Sequence, residues 1–165
     1  MRNQWWEGVA VLLVAALLVG CGGGGGSSDP DDDGNGGSSG DTVASGSSQK
    51  GPFRDGGTAK AMQLASDGTS TGEEVTGSIG ERGDYELEGL DWTGPTLLRM
   101  EGTFFDEVTG NFSSDNRVLK AVTRLEDDSS PEANVNLFTY FVAERTTTLM
   151  GEDEAFNDAL SAARS

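Results

Sequence analysis

The chain has 165 residues, of which 28 are Asp or Glu and 11 are Lys or Arg, so its formal net charge at pH 7 is −17. A surface this acidic repels nucleic acid and anionic lipid, and no nucleic-acid partner is expected. The chain contains one cysteine and no histidine, which excludes an internal disulfide, a histidine general base and a Cys/His zinc site.

The first twenty residues are typical of a signal peptide. Arg2 supplies positive charge, and the apolar run at 9–19 is too short for a bilayer, which needs roughly 20 apolar residues. The run ends in Leu18-Val19-Gly20-Cys21, which resembles the lipobox of bacterial lipoproteins. This resemblance implies cleavage before Cys21 and attachment of fatty acyl chains, such as palmitate, that anchor the protein to a membrane. The alternatives are an ordinary signal peptide with a chance cysteine, or an uncleaved anchor.

Residues 21–50 are predicted to form a disordered linker, because Gly, Ser and Asp dominate them. The first half of an EF-hand calcium loop is matched there by Asp29, Asp31, Asp33 and Gly34. Gly40 stands where the loop requires a bidentate Glu, so we favour a solvated acidic spacer and keep weak calcium binding as the alternative. An acidic run after the lipidated cysteine also resembles a surface-export signal of Bacteroidetes lipoproteins. In a Gram-negative cell, the expected location is therefore the outer membrane.

The next part of the chain, 51–127, is predicted to form a small antiparallel β-sandwich. Short runs with alternating apolar residues are separated by Gly/Asp turns every 8 to 15 residues. The predicted strands lie near 58–64, 74–79, 84–88, 96–101 and 118–125. In the last of these, Leu119, Ala121, Thr123 and Leu125 make one face.

Two helices are predicted in 128–165, as a hairpin on or beside the sandwich, which makes the fold class α+β. Ser130 and Pro131 are suited to begin the first helix, and Gly151 to end it. The apolar stripe of this helix is predicted to contain Leu137, Phe138, Phe141, Val142 and Leu149. The face of the second helix is predicted to contain Phe156, Ala159, Leu160 and Ala163.

A family resemblance covers roughly 51–163. The turns Gly51-Pro52-Phe53 and Gly57-Thr58-Ala59, the segment 83–87 and Gly94-Pro95 resemble a transthyretin-like or carboxypeptidase-regulatory-like β-sandwich. The segments FFDEVTGNFS and NVNLFTYFVAERTTTLM resemble stretches found in bacterial lipoproteins that carry such a domain. The resemblance implies a secreted accessory domain and supplies no catalytic residues.

Two further motifs have a functional and a structural interpretation. The tripeptide Arg82-Gly83-Asp84 spells an integrin-binding sequence, but we favour a turn of the sandwich in which Asp84 is incidental. The residues Asp106, Glu107, Asn111 and Asp115 could supply oxygen ligands to calcium. We favour a solvated acidic loop for that segment.

Two functional hypotheses follow. The first is a lipid-anchored cell-envelope protein that is not an enzyme and acts as a structural or binding module, with a glycan or another envelope protein as its partner. No catalytic residue and no cofactor are assigned. The second is a hydrolase that acts on envelope or extracellular glycans with two carboxylates about 5–9 Å apart. The sequence does not identify such a pair.

Overall fold

The computed structural model describes residues 42–49, 53–127 and 129–165. The described chain is an α+β fold in which nine strands precede two C-terminal helices. The strands are β1 (Thr42–Gln49), β2 (Thr58–Leu64), β3 (Ser70–Ser78), β4 (Asp84–Leu90), β5 (Gly94–Gly102), β6 (Phe105–Asp106), β7 (Asn111–Phe112), β8 (Arg117–Leu125) and β9 (Val135–Asn136). The helices are α1 (Leu137–Met150) and α2 (Phe156–Arg164).

Two sheets enclose one hydrophobic core. The larger sheet has the strand order β3-β2-β5-β8 and is antiparallel throughout. The smaller sheet has the order β4-β1-β9, and in it β1 and β9 run parallel, which departs from the antiparallel prediction. The five predicted strands are confirmed, because β2, β3, β4, β5 and β8 cover or overlap them.

Alternating burial along β5 and β8 shows which face of each strand lies in the core. In β5, Leu98 and Met100 are fully buried, while Arg99 lies outside and forms an ion pair with Glu101 at 2.6 Å. In β8, the face predicted to contain Leu119, Ala121 and Leu125 is the buried one. Because successive strand side chains point to opposite faces, one sequence supplies both core and surface.

The linker prediction for 21–50 is wrong over residues 42–49, which form β1 in the centre of the smaller sheet. The sandwich therefore also extends beyond the predicted bounds 51–127. The sequence of β1 has few apolar side chains, and small polar residues occupy several of its positions. Ser48 is fully buried there, and its hydroxyl donates to the carbonyl oxygen of Gly83 at 3.0 Å. Backbone hydrogen bonds to β4 on one side and β9 on the other hold this strand in place. Such pairing cannot be predicted from the apolar residues of the strand.

The predicted start of the first helix at Ser130 is also wrong. Residues 131–136 run alongside β1: the Ser45 amide donates to Pro131, and the Ala133 amide donates to Ser45, at 3.2 and 2.8 Å. The extended backbone continues to Asn136, which caps α1. The predicted end is confirmed, because α1 stops at Met150 and Gly151 follows.

Most of the predicted apolar stripe of α1 does not face the core, because Leu137, Phe138 and Phe141 are exposed. The buried residues of the helix are Ala143, Thr146 and Met150, and the Thr146 hydroxyl donates to the Val142 carbonyl at 2.8 Å. This bond satisfies the hydroxyl, so a small polar residue can be buried between two small or flexible apolar ones. Leu149 packs on a second core cluster, which joins α1, α2 and β8.

The second helix uses the predicted face. Phe156 and Ala159 are buried, and Leu160 packs against the same cluster with Met150 of α1. Asp158 in the first turn and Arg164 in the last turn interact favourably with the helix dipole and so stabilise α2. In the described parts of the chain, neither helix has the length and apolarity that crossing a bilayer requires.

Candidate functional site

The start of α1 is fixed at one end of the two sheets by a network of hydrogen bonds. The Asn136 side chain accepts from the amides of Phe138 and Thr139 at 2.8 and 3.0 Å, and the Thr139 hydroxyl accepts from the Asn136 amide at 2.8 Å. The same hydroxyl donates to the Lys120 carbonyl of β8 at 2.9 Å. This reciprocal capping box therefore sets where the helix begins and ties it to the edge of the larger sheet.

The helix presents large apolar side chains to solvent just after this cap. Leu137, Phe138 and Phe141 are 39%, 82% and 61% exposed. Single exposed apolar side chains are ordinary on a protein surface, but three within the first turns of one helix form a continuous patch. They remain outside because the core accepts the face that carries Ala143, Thr146 and Met150 instead.

A cleft of about 340 Å³ lies beside this patch. It is formed between β8, the start of α1 and the two short segments that are joined by the antiparallel bridge between Phe53 and Phe104. We call it the aromatic cleft, and its lining residues are Phe53, Phe104, Arg117, Val118, Leu119, Leu137 and Tyr140. Leu137 belongs both to the cleft and to the exposed patch, so the two form one surface.

An aromatic edge contact and a cation–π contact orient the Tyr140 ring on this surface. The Tyr140 ring meets the edge of Phe141 with centroids 5.8 Å apart and an angle of 79° between the ring planes. The Lys120 ammonium lies 5.9 Å from the Tyr140 centroid and pairs with Glu144 at 2.6 Å. These contacts hold Tyr140 and Phe141 in defined orientations, which lowers the entropy that a ligand would have to remove.

A second, more open cleft of about 610 Å³ is polar. We call it the polar cleft, and it is lined by Ser45, Gly46, Ser47, Ser78, Gly80, Asp84, Tyr85, Glu86, Glu132 and Asn134. Many of its groups already bond to one another: Ser47 donates to the Asn134 side chain from its amide and its hydroxyl, at 3.1 and 2.8 Å. The Tyr85 hydroxyl donates to the Ala133 carbonyl. Burial raises the pKa of Tyr85, and the negative charge of Glu132 raises it further.

The acidic segment that begins at Asp106, for which calcium binding is the alternative interpretation, forms a tight hairpin turn between β6 and β7. The Asp106 carboxylate accepts from the Val108 amide at 2.9 Å and from the Thr109 hydroxyl at 3.0 Å, and these bonds lower the pKa of Asp106. The Asn111 side chain donates to the Thr109 carbonyl. Within 42–49, 53–127 and 129–165, no three Asp or Glu side chains gather into a metal-binding group, so Asp106, Glu107 and Asp115 are not brought together.

The Arg82-Gly83-Asp84 tripeptide lies in the turn before β4. Gly83 has φ +77°, and a Cβ there would approach the Ser48 carbonyl oxygen to 2.6 Å. The Asp84 carboxylate accepts from the Arg82 amide at 3.2 Å within the same turn. These contacts support the interpretation of the tripeptide as a turn of the sandwich, but Asp84 is not incidental to it, because its carboxylate accepts a hydrogen bond within the turn.

The remaining site predictions lie outside the described residues. They are the lipidation site Cys21, the recognition residues Leu18, Val19 and Gly20, and the weak metal ligands Asp29, Asp31 and Asp33.

The sequence interpretation did not identify the aromatic cleft. Its lining residues come from four separated segments of the chain, and Phe53, Arg117 and Tyr140 share no spacing that a motif would detect. One signal was present in α1: Ala143, Thr146 and Met150 recur at helical spacing and form a competing stripe. Choosing that stripe as the buried one leaves Phe138 and Phe141 on the solvent side.

Comparisons with known proteins assign no family to the chain. No protein-family model matches it, and no curated protein matches it. Among solved structures, a 9R-lipoxygenase from Cyanothece PCC8801 matches with a TM-score of 0.34 and 12% sequence identity, over 69% of this chain and 19% of the lipoxygenase. The chain thus spans less than a fifth of that protein's length.

Proposed function

We propose that the chain is a lipid-anchored protein of the bacterial cell envelope that binds another envelope component without catalysing a reaction. The observation that carries the binding role is the continuous surface of the aromatic cleft and its exposed neighbours Phe138 and Phe141. Exposed apolar patches of this kind mark interaction sites, because covering them with a partner removes apolar surface from water. The lipobox at residues 18–21 supports the anchoring role.

The two ends of β1 lie at different distances from this surface. The strand ends at Gln49, which pairs with Asn136 directly before the aromatic patch, and it begins at Thr42, which pairs with Leu90. Eight residues of strand span about 23 Å from the first Cα to the last. The described domain therefore begins about 23 Å along β1 from the end that pairs next to the aromatic patch.

The transthyretin-like resemblance is part of the same proposal. It is supported by two sheets around one core and by the turn at Gly83, which leads into the buried Tyr85 of β4. The resemblance implies an accessory role, which agrees with a binding module. The outer membrane is the proposed location in a Gram-negative cell.

Site-specific crosslinking in the bacterium that produces the protein tests the binding role. A photoreactive phenylalanine analogue is placed at Phe138 or Phe141 of the full chain, and at exposed Glu73 of β3 as the control. We expect a crosslinked product of defined mass from positions 138 and 141 and none from position 73. The same products from all three positions, or no product from 138 and 141, would contradict the proposed function.

The hydrolase remains a second candidate because the polar cleft carries Asp84, Glu86 and Glu132 on one open surface. A pair of carboxylates across a sugar is the minimum that glycoside hydrolysis requires. The test incubates the full chain with polymeric glycans and measures new reducing ends. If this candidate is correct, Glu86→Gln or Glu132→Gln lowers the rate at least about a hundredfold. Absence of any release by the wild type, or release by both variants at the wild-type rate, would exclude it.

A further inference from the structure

We propose that the aromatic cleft binds a peptide segment in which an aliphatic or aromatic side chain lies next to a carboxylate. This inference rests on the proposed function, because it names the class of partner that the same surface accepts. It is carried by the charge, the lining and the extent of the cleft.

The charge of the cleft is opposite to that of the chain. Arg117 is the charged residue among its described lining residues, which include no Asp or Glu. The polar cleft is lined by Asp84, Glu86 and Glu132, and the chain as a whole carries −17. Among the described side chains, Lys120 is paired with Glu144, whereas Arg117 forms no ion pair with a described carboxylate. An exposed guanidinium beside apolar walls selects an anionic group, which it can hold by two parallel hydrogen bonds.

The lining favours a peptide over a glycan. Except for Arg117, the cleft is lined by aliphatic and aromatic side chains, and among these described residues only the Tyr140 hydroxyl adds a second side-chain polar group. A sugar ring carries several hydroxyl groups, and each one that leaves water without a new partner weakens binding. A leucine or phenylalanine side chain has no such groups and gains from burial against Phe104 and Leu137.

The extent of the surface favours an elongated occupant. The volume of about 340 Å³ lies near the lower limit for small-molecule pockets. The apolar surface continues from Leu137 to Phe138 and Phe141 outside the cleft. A peptide can place one side chain in the cleft and rest the next on this patch. Two copies of the chain are a poorer match, since both carry −17 and repel each other at low salt.

Saturation-transfer NMR on the full chain, held in phosphatidylcholine vesicles, tests the inference. The probes are N-acetyl-leucyl-phenylalanine with a free carboxylate, the same dipeptide as its C-terminal amide, and a glucuronic acid oligosaccharide. We expect the carboxylate form to bind about tenfold more tightly than the amide, a difference of about 1.4 kcal/mol, because the exposed guanidinium forms a charge-assisted hydrogen bond only with the carboxylate. Arg117→Gln should abolish this difference. Arg124→Gln is the matched control, because Arg124 is an exposed arginine at the opposite end of β8, and it should preserve the difference.

Equal binding of the two dipeptides, or Arg117-dependent binding of the oligosaccharide alone, would overturn the inference. If neither dipeptide binds while positions 138 and 141 still crosslink in cells, the peptide inference fails and the proposed function stands. If the crosslinks are also absent, both fail. The melting midpoint of each variant shows whether a loss of binding reflects a loss of folding.

Discussion

Replacing Tyr85 by phenylalanine tests how the segment before α1 is attached to the sheets. The ring of Tyr85 is 4% exposed, and its hydroxyl donates to the Ala133 carbonyl. The Tyr85→Phe substitution keeps the packing of the ring and removes the donor. Since Ala133 is half-buried, we expect the variant to lose about 1–2 kcal/mol of unfolding free energy at pH 7, which is the cost of an unmet hydrogen bond.

The pH dependence gives the prediction a second part. Burial, and to a smaller extent the charge of Glu132, raises the pKa of Tyr85 above its ordinary value of 10.0. The folded protein therefore holds this proton at a pH where the unfolded chain releases it. The stabilisation is complete below pH 10 and is lost as the pH rises toward the folded-state pKa. The wild type should lose on the order of 1 kcal/mol of unfolding free energy between pH 9 and pH 11, because each pH unit above the unfolded-state pKa contributes up to about 1.4 kcal/mol.

Urea denaturation of both proteins at pH 7, 9 and 11 provides the measurement. Every other titrating group is shared, so the difference between the two proteins reports Tyr85. We expect the wild type to be more stable at pH 7 and 9, and this advantage to shrink to a few tenths of a kcal/mol, or to vanish, at pH 11. An advantage that is the same at pH 9 and 11 would contradict the raised pKa of Tyr85, and no advantage at pH 7 would refute the assigned hydrogen bond.

Three other predictions concern the fold. Gly83→Ala should lower the unfolding free energy by more than about 2 kcal/mol, because backbone strain at φ +77° adds to a close contact between the new Cβ and the Ser48 carbonyl oxygen. The control Gly110→Ala, at φ +69° with no atom near the new Cβ, should cost only about 1 kcal/mol, and equal losses in urea denaturation would contradict the contact at Gly83. Asn136→Ala should cost about 1 kcal/mol and Ser130→Ala less than about 0.5 kcal/mol in the same assay, because Asn136 caps α1; the reverse order would place the cap elsewhere. The melting midpoint should rise between 0.05 and 1 M sodium chloride, because salt screens the repulsion within a chain of net charge −17; a flat response would show that this repulsion is negligible.

The strands with alternating apolar residues could be predicted from the sequence, because period-two burial is a local property. Leu98 and Met100 in β5 illustrate this, since each is flanked by an outward residue. Strand β1 could not be predicted in the same way. It pairs through its backbone with β4 and β9, which are remote in sequence, and the Gly83 carbonyl satisfies the buried hydroxyl of Ser48.

The candidate site depends on choices that a local pattern leaves open. Helix α1 has two apolar stripes, and hydrophobicity alone favours the one with Phe138 and Phe141 over the one with Ala143 and Thr146. The stripe with the small residues is the buried one, because α1 packs closely against β8 and because Thr146 satisfies its hydroxyl within the helix. The large residues then remain on the surface, where they make the patch on which the proposed binding depends.

The central claim is that a membrane-anchored chain presents this surface, and the mass of the N-terminal peptide of the mature protein tests the anchor most directly. The protein is isolated from the cells that produce it, with membrane and soluble fractions kept apart, and digested with a protease. The account predicts a peptide that begins at Cys21 and carries the added mass of acyl chains on that residue. A peptide that contains unmodified Cys21, or one that still includes the residues before it, would contradict the account.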